Sequence, residues 1–296
     1  MSLGNSIRAV VGSLPTVPRP DRLATRTITQ TGQPIDPAHV AAYAASTGLR
    51  FGNEVGLTYP FVLTFPLVME LITGFDFPFP ALGLVHVDNV ITRYRTITTT
   101  DVVGVKAHAE NLREHRKGLM VDIVSEVHVG NDIAWHQVAT FLHQQRTSLS
   151  DEPKPLAPKQ RQLPPPSAIL SITPRQIRSY ASVSGDRNPI HTSVIGARLF
   201  GFPTVIAHGM FEAAAVLANI EGHIPPAVCY RVKFGKPLPL PASAGLYLES
   251  RGSGWDLALR NVMQGYPYLE ATVRPTNLAA ADVADEPVSR VDPDHL

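Results

Sequence analysis

Apolar residues recur with helical spacing at two places in the chain, and each place has the start and stop signals of a helix. In the clearer one, Thr173–Gln176 supplies an N-cap threonine, a proline at the first helical position and a glutamine three residues after the cap, which is the capping-box pattern. Ile177, Tyr180 and Ala181 then fall on one face, and Gly185 can adopt the left-handed conformation that ends a helix. The pattern predicts an amphipathic helix between the cap and this glycine.

The same pattern occurs 137 residues earlier in the chain. Asp36–Pro37 forms the cap, Val40, Tyr43 and Ala44 form the apolar face, and Gly48 is the stop. Several signals that keep one offset are hard to reconcile with chance. The two halves of the chain are therefore predicted to be diverged copies of one fold.

Each half also contains a second helical segment that is more apolar than the first. These segments are Val68–Thr73, which ends at Gly74, and Met210–Glu221, which ends at Gly222. A helix that is apolar on most sides must be buried on most sides, so we expect a sheet to wrap around it.

Strand-like runs rich in Val, Ile and Thr follow the helices in both halves. The runs are Val85–Arg95, Val102–Glu110, Leu119–Val129 and Ile133–His143, then Val228–Phe234, Ala244–Ser250, Trp255–Val262 and Tyr268–Val273. Helices followed by consecutive strands are typical of the α+β class with antiparallel sheets. We predict one sheet in each half, curled around the apolar helix.

A proline cluster divides the chain nearly in half. Seven of the 27 prolines lie between Pro153 and Pro174, and residues 151–166 show no periodic apolar face. We therefore predict a first domain at 1–150, an extended linker at 151–166 and a second domain at 167–296. The tail from Asn277 lacks strand character and is expected to be mobile.

Composition narrows the class of protein. The 296 residues include 26 basic and 25 acidic side chains, and this net charge of +1 gives no electrostatic reason to expect nucleic-acid binding. No apolar run approaches the ~18 residues of a membrane span, and the single Cys229 cannot form an intramolecular disulfide. We expect a soluble, cytoplasmic protein.

No residue pattern requires a metal or an organic cofactor. The eleven histidines include no His-x-x-x-His pair, and one cysteine cannot build a thiolate metal site. The glycine-rich loops of dinucleotide oxidoreductases and NTPases and the G-x-S-x-G elbow of serine hydrolases are also absent from the sequence. We therefore expect no cofactor and no metal.

The densest set of reactive groups lies where the helix after Thr173 ends. Asp186, Asn188 and His191 fall within six residues, and the proline after Asn188 keeps that residue extended. The turn can therefore bring a carboxylate and an imidazole together to move protons near neutral pH. On these residues alone, an Asx turn at Asp186 and an ordinary loop histidine are the favoured alternative.

A glycine at the start of the second apolar helix adds a group of a different kind. The backbone N–H of Gly209, with the helix dipole behind it, can donate to a developing oxyanion, although Gly209 can also serve close packing alone. The first half discriminates between these interpretations, because Pro66 aligns with Gly209, Leu49 with Asp186 and Glu54 with His191. The first copy lacks every group that such chemistry needs.

Three stretches of the second half together resemble a known family. Tyr180–His191, Ala197 six residues further on, and the run Ile206–Met210 look like the MaoC-like (R)-specific enoyl-CoA hydratases, or hydratase 2, and the actinobacterial 3-hydroxyacyl-thioester dehydratases. The motif match covers residues 167–275. The resemblance implies a double hot-dog fold in which the C-terminal hot-dog carries the active site and the degenerate N-terminal one accommodates the acyl chain. The excess of arginine over lysine agrees with a bacterial source.

The resemblance also implies an activity and roles for individual residues. The reaction is reversible syn addition of water to a trans-2-enoyl thioester of coenzyme A or acyl carrier protein, giving an (R)-3-hydroxyacyl thioester in fatty-acid metabolism. Asp186 and His191 form the catalytic dyad, Asn188 orients them, and Gly209 stabilises the thioester oxygen. The sequence does not decide which member of the dyad accepts the water proton.

Three further residues are weaker candidates for substrate binding. Tyr180, Phe202 and His208 lie near the motif, but aromatic residues at helical spacing are more often simple core. One departure from the family is the segment Pro237–Pro241, where a Pro-Gly turn is usual. A hot-dog thioesterase, a non-catalytic acyl-binding subunit and a homodimer are the remaining alternatives for activity and assembly.

Overall fold

Ten antiparallel strands form a single continuous sheet in the computed structural model, which describes residues 18–153 and 164–276. The strands are β1 (Thr27–Pro34), β2 (Leu84–Arg93), β3 (Val102–His115), β4 (Gly118–Val129), β5 (Asp132–Gln144), β6 (Ala168–Ile172), β7 (Val228–Phe234), β8 (Ala242–Arg251), β9 (Gly254–Asn261) and β10 (Pro267–Pro275). Their spatial order is β1-β3-β4-β5-β2-β7-β10-β9-β8-β6.

The strand order has an approximate two-fold symmetry. β1-β3-β4-β5-β2 of the first half is matched in reverse by β7-β10-β9-β8-β6 of the second half, so the symmetry axis passes between β2 and β7. These two strands pair directly, with Asp88 opposite Lys233 and Arg93 opposite Val228. The two predicted sheets, one per half, are therefore continuous with each other, because their central strands pair.

Six helices of the described residues accompany the sheet. They are α1 (Pro37–Thr47), α2 (Pro60–Ile72), α3 (Pro174–Ser184), α4 (Pro189–Thr192), α5 (Val194–Leu199) and α6 (Gly209–Leu217), and a 3₁₀ turn follows at Glu221–His223. α2 packs on β3 and β4, and α6 packs on β9 and β10. Each apolar helix thus covers strands of its own half of the sheet. No helix in the described ranges is long and apolar enough to cross a lipid bilayer.

The repeated helix signals are confirmed at atomic level. The Asp36 carboxylate accepts a hydrogen bond from the Ala38 N–H at 2.9 Å, and Thr173 forms a capping box with Gln176. Gly48 and Gly185 end α1 and α3 with φ of 83° and 78°, which favour glycine. The two helices pack against each other across the symmetry axis.

The second helices differ from their predicted bounds. α2 begins at Pro60, eight residues earlier than expected, and continues through Pro66, which lies on the exposed side where a missing N–H costs less. α6 ends at Leu217 rather than Glu221, and the chain continues through turn residues 218–220 into the 3₁₀ turn at Glu221–His223.

The edge strands β1 and β6 were not predicted from the sequence. Most of their side chains are exposed, so neither has the alternation of apolar and polar residues that marks a half-buried strand. The interior of the predicted linker, residues 154–163, and the tail from Asn277 lie outside the described residues.

Candidate active site

The predicted turn at Asp186 begins where α3 ends at Gly185. The Asp186 N–H donates to Ser184 Oγ at 3.3 Å, and the Asn188 N–H donates to Asp186 Oδ1 at 3.2 Å. The carboxylate therefore does form the Asx turn that the sequence suggested as an alternative. Its side chain remains 28% exposed, and its Oδ2 lies 3.9 Å from Nε2 of His208.

Asn188 links the carboxylate to the histidine through the backbone. Its side-chain oxygen caps α4 by accepting from the Ile190 N–H at 3.3 Å, and its carbonyl accepts from the His191 N–H at 3.0 Å. Since its own N–H contacts Asp186, Asn188 fixes the spacing of the pair without a side-chain contact to either member.

His191 projects from α4, and the hydrogen bond of one ring nitrogen determines its tautomer. Nδ1 lies 2.9 Å from the carbonyl oxygen of Ile206, and a carbonyl can only accept, so Nδ1 carries the proton. Nε2 is then an unprotonated acceptor. Burial lowers the pKa of His191, although the negative charge of Asp186 opposes this effect, and the imidazole is neutral at pH 7.

The segment that supplies this carbonyl is held from both sides. The Ile206 N–H donates to Ile190, and on the other side the Ala207 N–H donates to Leu238 at 2.9 Å while the Leu240 N–H donates to Val205. The proline-rich segment that departs from the family pattern thus acts as a short strand-like partner. Its contacts place the Ile206 carbonyl beneath His191.

His208, a weaker candidate for substrate binding, packs behind the dyad. Its ring stacks on His191 with centroids 3.7 Å apart, and its Nε2 lies 3.0 Å from the Asp186 carbonyl oxygen. The residue is only 2% exposed, and burial together with the neighbouring His191 lowers the pKa of His208 to about 4. A neutral, buried ring in this position supports His191 rather than facing solvent.

Asp186, His191 and His208 bring one potential ligand atom each within 4.8 Å of one another. Such a cluster raises the question of a metal ion. The two imidazoles are stacked with 26° between their planes, so their nitrogen lone pairs run side by side rather than converging on one point. The geometry suits proton transfer better than ion coordination.

Gly209 is the first residue of α6, so its N–H lies outside the helical hydrogen-bond ladder. A Cβ at this position would lie 2.8 Å from Cε1 of Phe234, which only glycine avoids. The structure thus shows the close packing considered for Gly209 and places its N–H at the start of α6.

The remaining two candidates lie at different depths. Tyr180 is fully buried beside His208, with ring centroids 5.1 Å apart, and its hydroxyl has no hydrogen-bond partner among the described residues. Phe202 follows α5, is half-buried against the core, and makes no ring contact with the dyad within the described ranges. The structure thus places Tyr180 in ring contact with His208.

Two histidines of the N-terminal half reach the site without any signal in the sequence. His39 Nε2 lies 3.0 Å from the carbonyl oxygen of Val183, just before the catalytic turn, and its Nδ1 contacts the Tyr59 hydroxyl. His86 lies on β2 beside Phe234, the residue that packs on Gly209. These residues reach the second half because the two halves pair around the symmetry axis. A local sequence pattern cannot reveal this pairing.

Comparisons with known proteins agree with this geometry. Residues 157–265 match the family model of the MaoC-like domain. The chain is 66% identical over 272 residues to the 3-hydroxyacyl-thioester dehydratase X of Mycobacterium tuberculosis, covering 92% of this chain and 97% of that protein. A stretch of 71 residues, 24% of this chain and 4% of the relative, is 46% identical to the fatty acid synthase subunit beta of Saccharomyces cerevisiae.

A solved structure supports the fold over its whole length. The crystal structure of HtdX from Mycobacterium tuberculosis superposes with a TM-score of 0.77 and 62% identity, covering 85% of this chain and 100% of that one. The α+β double hot-dog predicted from the sequence is thereby confirmed. With this fold, this degree of identity and the motif from Tyr180 to Met210 in place, the chain belongs to the MaoC-like dehydratase family.

Proposed function

We propose that this chain catalyses the reversible syn hydration of trans-2-enoyl thioesters to (R)-3-hydroxyacyl thioesters. The general prediction of an acyl-thioester dehydratase, a hydro-lyase of fatty-acid metabolism, is confirmed by the relatives. The observation that carries the more specific proposal is the neutral His191, which has a ring nitrogen within 4.8 Å of a carboxylate oxygen of Asp186 and keeps Nε2 as its acceptor.

The reaction needs only proton transfers and a stabiliser for one oxygen. The thioester carbonyl acidifies the α carbon and activates the β carbon toward water. In our proposal the water lies between Asp186 and His191, because the carboxylate accepts one of its protons in a hydrogen bond while the imidazole Nε2 accepts the other. Asn188 keeps the two groups at this spacing.

The tautomer of His191 suggests which group acts as the base. Since Nδ1 is bonded to the Ile206 carbonyl, only Nε2 can accept the proton as the water oxygen bonds to C3. The same Nε2–H can then protonate C2 from the same face, which gives syn addition and returns the imidazole to its neutral form. In the direction of dehydration the steps reverse, with His191 removing the C2 proton and returning it to the leaving hydroxyl.

The negative charge that develops on the thioester oxygen requires a donor. We assign this role to the Gly209 N–H, which sits at the positive end of the α6 dipole and outside the helical ladder. His208 and Tyr180 are assigned to the packing that holds the dyad in place, and any contact of Phe202 with substrate would involve the distal acyl chain.

The division of labour between the halves is part of the proposal. Residues 1–150 accommodate the acyl chain, residues 167–296 carry the chemistry, and the substrate is a thioester of coenzyme A or acyl carrier protein. A cytoplasmic location and a homodimer stay predictions from the sequence.

Spectrophotometry at the enoyl-thioester absorbance, with chiral analysis of the product, tests the proposal. We expect the full chain to hydrate crotonyl-CoA to the (R)-3-hydroxy product, and Asp186→Asn to lower the rate by ~10²–10⁴. An (S) product, or release of free thiol without a hydrated product as a thioesterase would give, contradicts the proposal. Binding without turnover would identify a non-catalytic acyl-binding subunit instead.

A further inference from the structure

His86 is a polar side chain in an apolar setting. Its ring stacks on Phe141 with centroids 4.6 Å apart and lies 4.7 Å from Phe234. Nε2 is shielded from solvent and has no hydrogen-bond partner within residues 18–153 and 164–276. A buried donor or acceptor without a partner costs free energy, so its presence calls for an explanation.

The position of His86 places it next to the candidate site. β2 and β7 are the strands that join the halves, and Phe234 at the end of β7 packs directly on Gly209. The charge of Asp186 also acts on His86. The N-terminal half therefore contributes a side chain to the neighbourhood of the catalytic turn and the α6 N-terminus.

Neighbouring amides hold this part of β2 in one arrangement. Gln137 Nε2 donates to Asn89 Oδ1 at 2.6 Å, and the Asn89 amide lies beside the imidazole of His86. Burial lowers the pKa of His86 to about 4, so the ring is neutral at pH 7. A neutral, oriented imidazole can form a hydrogen bond with an uncharged oxygen such as that of a thioester or a hydroxyl.

We propose that His86, although it comes from the degenerate half, binds the acyl thioester through a hydrogen bond between its Nε2 and a substrate oxygen. The N-terminal half then supplies recognition as well as space for the acyl chain. This inference rests on the proposed thioester substrate.

His143 provides a matched control on the neighbouring strand β5. It too is an imidazole stacked on a phenylalanine, Phe79, with centroids 4.9 Å apart, and its Nδ1 is buried without a hydrogen-bond partner in the described part of the chain. The charged group that acts on His143 is Arg19 rather than Asp186. Replacing either histidine by phenylalanine preserves the ring stacking and removes the nitrogens.

The test measures steady-state kinetics with crotonyl-CoA for His86→Phe and His143→Phe, and thermal unfolding for both. For His86→Phe we expect KM to rise about tenfold, the size of one lost hydrogen bond, with kcat changed less than threefold. His143→Phe should match the wild type in both constants. Equal kinetics for the two variants, or a loss confined to kcat, would overturn the inference.

Direct binding separates this inference from the proposed function. Calorimetric titration of crotonyl-CoA in an Asp186→Asn background should show the same tenfold weakening when His86→Phe is added, even if the wild type shows no turnover. If His86→Phe does not fold, His86→Gln takes its place, because it retains a polar group. In the Asp186→Asn background we expect His86→Gln to bind crotonyl-CoA more weakly than Asp186→Asn alone, but still detectably. An unchanged Kd in His86→Gln together with an unchanged KM would refute the contact.

Discussion

In both halves a capped helix ends at a glycine with a left-handed backbone, but the chain then takes two different courses. After Gly48, Leu49 turns into the core, and Glu54 lies exposed at the surface. After Gly185, Asp186 keeps its carboxylate at a half-buried turn that leads to His191. The fold is thus preserved by caps and core, whereas the chemistry depends on a few residues beyond the second glycine.

A second difference lies in the apolar helices. The positions that align between the halves place Pro60–Phe65 of the first opposite Pro203–His208 of the second. In the first half these residues are the opening of α2; in the second they form the extended segment whose carbonyl binds His191. α2 therefore starts about two turns earlier relative to α6, and the first half has no free helix N–H at the position of Gly209.

The largest effect that this comparison predicts is the loss of the base. His191→Gln should lower kcat/KM for crotonyl-CoA hydration by ~10²–10⁴, because it removes the proton acceptor while keeping a polar side chain. Glu54→Gln, at the aligned position of the first half, should keep wild-type kinetics. Comparable losses in both variants would mean that the halves share the chemistry.

The next effect concerns the starts of the apolar helices. Gly209→Ala places a methyl group 2.8 Å from Phe234, so the ring must shift, and we expect a destabilisation of ~1–3 kcal/mol with reduced kcat. Urea unfolding and the hydration assay measure the two losses.

Pro66→Ala is the counterpart in the first half. It restores an N–H inside α2 on an exposed face and should stabilise the protein by up to ~3 kcal/mol at unchanged activity. A Gly209→Ala variant as stable as the wild type would contradict the close packing assigned to Gly209.

The elements that sequence could predict are those with a local physical signal. Caps, terminal glycines and the helical repeat of apolar residues locate α1 and α3, and alternating or continuous apolar runs locate eight of the ten strands. The edge strands β1 and β6 lack that signal because solvent covers most of their side chains. The start of α2 was missed because an interior proline looks like a helix boundary.

The same distinction applies to the site. Asp186, Asn188 and His191 could be selected because one short turn carries them, and the structure shows that they lie together. His39 and His86 could not, because each lies 100 residues or more from the second-half groups that it reaches. Contacts across the symmetry axis depend on how the halves pair, which no local pattern encodes.

The pH dependence of activity tests the environment of His191. The residue that aligns with His191 in the first half is the exposed Glu54. The pKa of His191 lies below its usual 6.5 because burial outweighs the opposing charge of Asp186, and the stacked His208 is neutral. The base must be unprotonated, so a lower pKa keeps the enzyme active into more acidic solution. We expect the midpoint of the acid limb of the kcat/KM profile to lie below pH 6.5. More than ~10% of full activity should then remain at pH 5.5. A midpoint above pH 6.5 would show that the charge of Asp186 dominates instead.

The smallest effect concerns what the halves still share. Asp36→Ala and Thr173→Ala remove equivalent N-caps, and each should destabilise the protein by ~1 kcal/mol, or about 2–4 °C in Tm. Activity of the folded enzyme should persist in both, because each cap lies a full helix away from the glycine at which the halves diverge. The double variant should lose the sum of the two, since the caps share no partner. A much larger loss of stability in Thr173→Ala, or a fall in kcat in that variant alone, would contradict this expectation. It would mean that the N-cap of α3 also positions the dyad, unlike the N-cap of α1.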